Sequence, residues 1–244
     1  MLDRAPRARR PARLASIVVD ELGHEIIGGE LGEGSPLPTE DALCKRFGFS
    51  RTVMREGLKL LEERGLIRVE QGRGTTVQPR ESWNLLDPDV LRIALEYDGD
   101  AQLLDNLVTV RRLLETSMAR SAATRLSDED LAAMRDNIEA MTGLIDDYDY
   151  FRALDQAFHR TLMRASGNEI GKTIVRAIHQ YTAADPRLNS RPGSIGALTR
   201  TIEEHRAVYE ALAAHDAELA ASRIAAHIDA SWAERRDARL PPSS

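Results

Sequence analysis

The alternation of apolar and polar positions divides the chain into a mixed first part and a helical second part. From Leu37 to Val77, two short amphipathic helix patterns precede two short runs rich in β-branched residues. Beyond residue 88, nearly every segment repeats apolar positions at the 3.6-residue spacing of a helix. The pattern predicts a mainly α protein, with an N-terminal winged helix-turn-helix followed by an all-α bundle of about seven helices.

Capping and turn residues predict where the two short helices of the first part begin and end. Thr39 is a good N-cap for the first helix, and Gly48 suits its C-terminus. Ser50 is a good N-cap for the second helix, which Gly65 ends. The runs 66–69 and 75–77 then read as wing strands on either side of a Gly-Arg-Gly turn.

The second short helix places Arg51, Thr52 and Arg55 on the face opposite its apolar residues. Side chains of these types contact phosphates and base edges in DNA complexes. The alternative is a small solvated helical hairpin with charges on its surface. The order of helix, turn, helix and wing favours DNA binding over that alternative.

The charge distribution supports a DNA partner for the first part of the chain. The 244 residues carry a formal net charge of -6. Residues 1–80 hold 14 Lys and Arg against 12 Asp and Glu, a net charge of +2, and the remaining residues hold 19 against 27, a net charge of -8. The positive charge therefore lies where the DNA-binding pattern lies.

Composition shifts suggest four segments. Residues 1–13 form a basic flexible arm, 14–79 the winged helix-turn-helix domain, 80–88 a connector with an exposed Trp83, and 89–238 the helical domain. No apolar run approaches the roughly 18 residues needed to cross a bilayer. The single cysteine, Cys44, lies on an apolar helix face as a core thiol and permits no intrachain disulfide. These features predict a cytoplasmic protein without a membrane partner.

The helical part contains a candidate metal site. Asp155 and His159 are spaced i,i+4 and project from one helix face, while His205 and His227 lie in the last two helical patterns. If these helices pack together, one carboxylate and three imidazoles converge, a set that suits a divalent transition metal, Zn first and Mn or Ni as alternatives. The competing interpretation is that these are ordinary core histidines. The remaining histidines are assigned to surface or packing positions: His24, His179 and His215.

Two groups of motifs resemble the GntR family of transcription regulators, in its FadR-type branch with a helical ligand-sensing (FCD) domain. In the first part, the matching segments are 37–40, 50–56 and 61–72. In the helical part, they are Val110 to Glu115, Asp155 to His159 with Gly167-Asn168, Glu204 to Arg206, and His227-Ile228. The resemblance extends over residues 14–236.

The resemblance implies roles for individual residues. DNA contacts fall on Ser50, Arg51, Thr52 and Arg55 of the second helix, and on Gln71, Gly72 and Arg73 of the wing. The metal-ligand pattern matches Asp155, His159, His205 and His227. Arg111 matches an arginine that pairs with an effector carboxylate, although an i,i+4 salt bridge with Glu115 is an equal alternative.

The combined interpretation is a homodimeric regulator that binds double-stranded operator DNA and responds to a small carboxylate. The connector segment 83–91 resembles that of regulators of galactonate and other sugar-acid catabolism, which suggests a sugar acid as the effector. The main interpretation is a repressor that this acid releases from its operator, and activation by the acid is the alternative. Asp41 stands where some relatives carry an arginine, so their operator sequence does not transfer. Two alternatives are a metal-dependent enzyme that uses the Asp and His residues, and a DNA-binding protein without an effector.

Overall fold

The computed structural model describes residues 9–70, 72–99, 101–184 and 195–239. The chain divides between residues 99 and 100 into two compact units. Across the described helices, none has the length and apolar composition needed to span a bilayer. The prediction of a winged helix-turn-helix followed by a helical bundle is confirmed.

The first unit holds four helices and a two-stranded sheet among its described residues. Its elements are α1 (Arg9–Ile27), α2 (Glu40–Phe47), α3 (Arg51–Glu63), β1 (Ile67–Glu70), β2 (Gly74–Val77) and α4 (Pro88–Glu96), with a short 3-10 helix at Arg80–Ser82. The two strands are antiparallel, and Ile67 pairs with Val77 at the open end of the hairpin.

The capping residues predicted for α2 and α3 perform those roles. The Thr39 side chain accepts a hydrogen bond from the Ala42 backbone, and Ser50 accepts one from Val53. Gly48 ends α2 with a positive φ of 68°, which glycine adopts without steric cost. The short break between the two helices therefore fixes the direction in which α3 leaves α2.

The core of the first unit explains two differences from the sequence analysis. Helix α1 begins at Arg9, inside the segment predicted to be a flexible arm, because its apolar face packs against α3. Trp83 is half-buried rather than exposed, since its ring packs on the same core and its Nε1 donates to the Gln78 carbonyl over 3.2 Å. Helix α4, which the sequence analysis groups with the helical domain, packs here against α1.

Gly65 has a backbone position that a side chain would disrupt. Its φ is +74°, and an added Cβ would lie 1.9 Å from the Ser82 carbonyl oxygen. We expect Gly65→Ala to lower the free energy of unfolding of the first unit by about 2–5 kcal/mol, since left-handed backbone strain and overpacking add. Urea unfolding of the full chain, followed by circular dichroism, measures this change.

Gly29 offers a matched control for that substitution. It also has a positive φ, +86°, but an added Cβ would have nothing within 4 Å. Gly29→Ala is therefore expected to cost the backbone term alone, about 1–2 kcal/mol. Equal losses for the two variants would show that the approach of Ser82 to Gly65 contributes nothing.

The second unit is helical throughout its described residues. Its helices are α5 (Gln102–Ala122), α6 (Asp128–Gly143), α7 (Tyr148–Ala165), α8 (Glu169–Ala184), α9 (Ile195–Ala213) and α10 (Ala217–Arg239). Ser127 and Asp130 form the predicted reciprocal capping box at the start of α6. A single apolar cluster joins all six of these helices, with Phe158, Leu162 and Val208 fully buried in it. This packing brings inward-facing polar residues of three helices into one place.

Candidate functional site

Helix α3 presents a polar face that agrees with the predicted DNA-contact set. Arg51, Thr52 and Arg55 are exposed, while the opposite face is buried through residues that include Met54 and Leu61. Ser50 is exposed directly before the helix, where its side chain is engaged as the N-cap. The exposed face is free to approach a major groove because the unit buries the other side of the helix.

Both arginines of this face are paired with the N-terminal acids of α2. Arg51 lies 2.9 Å from the Asp41 carboxylate, and the Arg55 Nε lies 3.0 Å from Glu40. Arg51 and Arg55 expose 67% and 71% of their side chains, so these pairs are screened and weak. Asp41 thus holds a cation of the neighbouring helix, a role that sequence reading did not assign to it.

The tip of the wing carries the second group of predicted DNA contacts. Gly72 and Gly74 adopt φ values of 78° and 97°, which turn the hairpin tightly around Arg73. Arg73 exposes 84% of its side chain and lies 3.8 Å from Glu70. Gln71 lies outside the described residues. The tip therefore presents an exposed cation and glycine backbone, which suits contact with the phosphates of DNA.

The four predicted metal ligands meet inside the second unit. Asp155 and His159 come from α7, His205 from α9 and His227 from α10, and their ligand atoms all lie within 4.8 Å of one another. The three histidines are buried, whereas Asp155 keeps 22% of its side chain exposed. The four residues that were predicted to converge therefore lie close together in the fold, and such a group could hold a metal ion.

Distances within this cluster fit a coordinated cation. The Nε2 atom of His159 lies 3.2 Å from Nε2 of His227 and 3.4 Å from Nε2 of His205. Two nitrogens bound to one tetrahedral zinc ion are about 3.3 Å apart, given Zn–N bonds of about 2.0–2.1 Å. The Asp155 carboxylate completes the group at 3.5 Å from His205 Nε2.

Neutral imidazoles strengthen this interpretation. Burial lowers the pKa of His227 to about 3 and holds the pKa of His205 well below its usual value. Burial opposes ionisation of Asp155, but the neighbouring histidines outweigh it and lower the pKa of that carboxyl. His205 and His227 therefore offer unprotonated nitrogens and Asp155 offers a carboxylate, the forms that bind divalent metals.

Two carboxylates outside the cluster orient its histidines. Glu115 Oε2 lies 2.6 Å from Nδ1 of His159, and Glu204 Oε2 lies 2.8 Å from Nδ1 of His227. These contacts place the ring protons on Nδ1 and turn the Nε2 lone pairs toward each other. Lone pairs at hydrogen-bond distance repel, and a shared cation would remove that repulsion. The Nδ1 atom of His205 is buried without a hydrogen-bond partner in the described part of the chain.

Arg111 joins the same network. Its Nε donates to Glu115 Oε1 over 2.6 Å, and its Nη2 lies 3.4 Å from His159 Nε2. The i,i+4 salt bridge anticipated as an alternative is present, but it is partly buried rather than on the helix surface, since Glu115 is fully buried. Burial would raise the pKa of Glu115, yet Arg111 and His159 hold it well below its usual value. Arg111 is thus fixed beside the cluster with a guanidinium edge facing it.

His179 was assigned from sequence to a surface or packing position, and the structure places it in this network. Its Nε2 lies 3.4 Å from Glu115 Oε1, and its ring centre lies 5.7 Å from that of His159. Burial lowers the pKa of His179 to about 4. Sequence reading missed it because its neighbours come from α5 and α7, at no fixed spacing from α8.

A small cavity of about 20 Å³ adjoins Arg111. Its lining residues come from α5, α8 and α10: Val108, Arg111, Ile178, Ile228, Ser231, Trp232 and Arg235. Arg235 is half-buried and forms no ion pair with a described residue. The cavity therefore has two guanidinium groups and apolar side chains at its wall, and its volume is that of about one water molecule.

Comparison with known proteins agrees with both halves of this description. Residues 14–77 match the family model for bacterial regulatory proteins of the gntR family, and residues 106–230 match the FCD domain. The galactonate operon transcriptional repressor of Escherichia coli strain K12 is 33% identical over 203 residues, which are 83% of this chain and 88% of the relative. The transcriptional regulator LutR of Bacillus subtilis strain 168 is 31% identical over 209 residues, 83% and 92% of the two chains.

A solved structure has the same fold. Lar, which controls expression of the Listeria monocytogenes agr system, matches with a TM-score of 0.55 at 19% identity, over 91% of this chain and 96% of its own. At that identity the likeness concerns the fold alone.

Proposed function

Since this chain belongs to the GntR family of bacterial regulatory proteins and carries an FCD domain, we propose that it represses transcription until a small carboxylate releases it from its operator. The observation that carries the proposal is an exposed, arginine-bearing helix α3 in the first unit combined with an Asp and His cluster beside Arg111 in the second. The first unit has residues suited to DNA contact and the second has residues suited to ligand binding, and a ligand-responsive regulator requires two such distinct sites.

Asp155, His159, His205 and His227 would hold a divalent transition metal, with zinc first because of the nitrogen-rich set. When bound, the metal supplies a positive centre for an anionic ligand in a domain that is otherwise acidic. The separation of the Nε2 atoms and the neutral state of His205 and His227 support this assignment.

The effector would be a small carboxylate such as a sugar acid. Arg111 is the best placed group to pair with its carboxylate, and Arg235 lines the same small cavity. The cavity of about 20 Å³ is too small for a sugar acid as it stands. Binding of the effector must therefore move side chains of α5, α8 or α10, and this movement would link an occupied site to a change of conformation. Similarity to the galactonate operon repressor favours an aldonate.

Two copies of the chain would bind a pseudo-palindromic operator, each placing α3 in a major groove and a wing beside it. Ser50, Arg51, Thr52 and Arg55 would contact one half-site, and Gln71, Gly72 and Arg73 the adjacent backbone or minor groove. The exposed positions of Arg51, Arg55 and Arg73 support these roles. A metal-dependent enzyme is disfavoured, because the family consists of regulatory proteins.

Operator binding with and without sugar acids tests the function. We expect galactonate or a related aldonate to weaken binding of the metal-loaded protein to DNA from its own upstream region by about 5–150-fold, the range of ordinary allosteric coupling. Fluorescence anisotropy measures both affinities. Galactose is the matched uncharged control, because it lacks the carboxylate that Arg111 would bind.

Arg111→Gln separates sensing from DNA binding. This variant should bind the operator like the unmodified protein and lose the response to the acid. If the protein prefers its operator but no acid matters, the effector assignment is wrong while the DNA-binding role stands. Equal affinity for the operator and random DNA would instead support a protein that binds without an effector.

A further inference from the structure

A second group of cations lies outside the metal cluster, along a groove between α7 and α8. The α7 side carries Arg152, Arg160 and Arg164, and the α8 side carries Lys172 and Arg176. None of the described residues that line the groove is an Asp or Glu. The second part of the chain has a net charge of -8, so this concentration of positive charge runs against the composition around it.

Three of these cations have no ionic partner among the described residues. Arg164 pairs with Asp130 at 2.6 Å, and Lys172 pairs with Glu169 at 2.5 Å. By contrast, no ion pair or hydrogen bond to a described residue involves Arg152, Arg160 or Arg176. Other arginines of this unit, such as Arg112 and Arg120, are paired with carboxylates at 2.8 and 2.6 Å.

The spacing of these cations brings like charges close together on each helix. Arg160 and Arg164 stand at i,i+4 on α7, and Lys172 and Arg176 stand at i,i+4 on α8. Like charges at that spacing repel along a helix. The two helices also face each other with the same sign of charge across the groove. Repulsion of this kind is relieved when an anion lies between the two rows.

The groove has the size and lining of a small-molecule site. Its volume is about 760 Å³, within the usual range of about 300–1,000 Å³ for ligand pockets. Ala157 and Met163 supply apolar surface, while Gln156, Thr161 and Gln180 supply polar groups suited to hydroxyls. Guanidinium groups recognise phosphate with two parallel hydrogen bonds. We propose that this groove is a second ligand site, which binds a small phosphate ester of a polyhydroxylated compound.

The site is distinct from the metal cluster but adjacent to it. On α7, the metal-facing residues Asp155 and His159 alternate with the groove-facing Gln156 and Arg160. His179 lines the groove and also lies 3.4 Å from Glu115, which orients His159. A ligand in the groove would therefore contact the residue that borders the metal-side network, and the two sites would be coupled through His179.

Calorimetric titration of the full, metal-loaded protein with glucose 6-phosphate tests this proposal. We expect binding with one site per chain, weaker binding of inorganic phosphate, and none of glucose. The double variant Arg160→Gln/Arg176→Gln should weaken binding at least about tenfold, as expected when charge-assisted hydrogen bonds are lost. Arg223→Gln is the matched control, because Arg223 is an exposed arginine on α10 away from the groove.

The outcomes separate this site from the proposed effector site. His205→Ala should retain glucose 6-phosphate binding, which makes the result independent of the metal assignment. The proposal is overturned by absence of binding, by an equal loss in Arg223→Gln, or by equal affinity for the ester and inorganic phosphate. It is also overturned if the double variant changes the oligomeric state in light scattering, because the groove would then be a subunit interface.

Discussion

Arg55→Ala is expected to weaken operator binding by about 5–150-fold, the equivalent of losing one arginine contact to a base pair or its phosphate. Arg55 exposes 71% of its side chain on the free face of α3, and its ionic partner among the described residues is the surface residue Glu40. That pair is weak in water, so the guanidinium can exchange Glu40 for DNA at little cost. Anisotropy with labelled operator DNA at fixed salt measures the change.

Two controls make the result specific to α3. Arg223→Ala removes the same charge from α10 and should leave operator affinity unchanged. The response to effector should also persist in Arg55→Ala, because Arg111 and the cluster lie in the other unit. Unchanged operator affinity in Arg55→Ala would remove this residue from the contact set.

The dependence of the affinity loss on salt concentration and on DNA sequence distinguishes a base contact of Arg55 from a phosphate contact. If Arg55 reads a base, the loss is confined to operator DNA, and the preference over random DNA falls. If it contacts a phosphate, binding to both DNAs weakens and the slope of affinity against salt decreases by about one unit. Glu40 and Asp41 bear on this test, because they neutralise Arg55 and Arg51 in the free protein. The positive charge of the α3 face therefore becomes fully available to DNA only when these two ion pairs are exchanged.

Local signals in the sequence were sufficient for most of the fold. Caps such as Thr39, Ser50 and Ser127 act within three residues of themselves, so helix starts follow from the sequence alone. Long-range packing was harder to infer. Helix α1 carries buried residues at helical spacing, among them Val18, Leu22 and Ile26, but its N-terminal arginines read as a flexible arm. The position of Trp83 likewise depends on the core beneath it.

The candidate metal site likewise has a part that local spacing predicts and a part that depends on long-range packing. Asp155 and His159 form an i,i+4 pair, so their common face could be predicted from one helix. The roles of Glu115 and His179 depend on how α5 and α8 pack against α7, and sequence spacing carries no information about that packing. Two alternative roles were considered for Arg111: the salt bridge with Glu115 is present, and the pairing with an effector carboxylate stays a prediction, made for a guanidinium that also faces His159.

His205→Ala is expected to weaken metal binding by on the order of 100-fold or more, because four ligands share a binding free energy of about 10–16 kcal/mol in structural zinc sites. Bound metal also stabilises the folded chain, by about 4 kcal/mol when its free concentration is 1,000 times the Kd. A chelator should therefore lower the Tm of the unmodified protein and leave the Tm of His205→Ala nearly unchanged. Elemental analysis and scanning calorimetry measure the two effects.

A graded series distinguishes a metal ligand from a residue needed for folding. Glu115→Gln keeps a hydrogen-bond acceptor for His159 Nδ1 but removes the charge, so it should weaken metal binding about 10–100-fold. His24→Ala removes a histidine of the other unit and should retain full metal content. Undiminished metal in His205→Ala would exclude the proposed ligand set. If a chelator did not change the Tm of the unmodified protein, a bound cation would not explain the close approach of the three Nε2 atoms. Protons between the nitrogens would then have to offset the repulsion of their lone pairs.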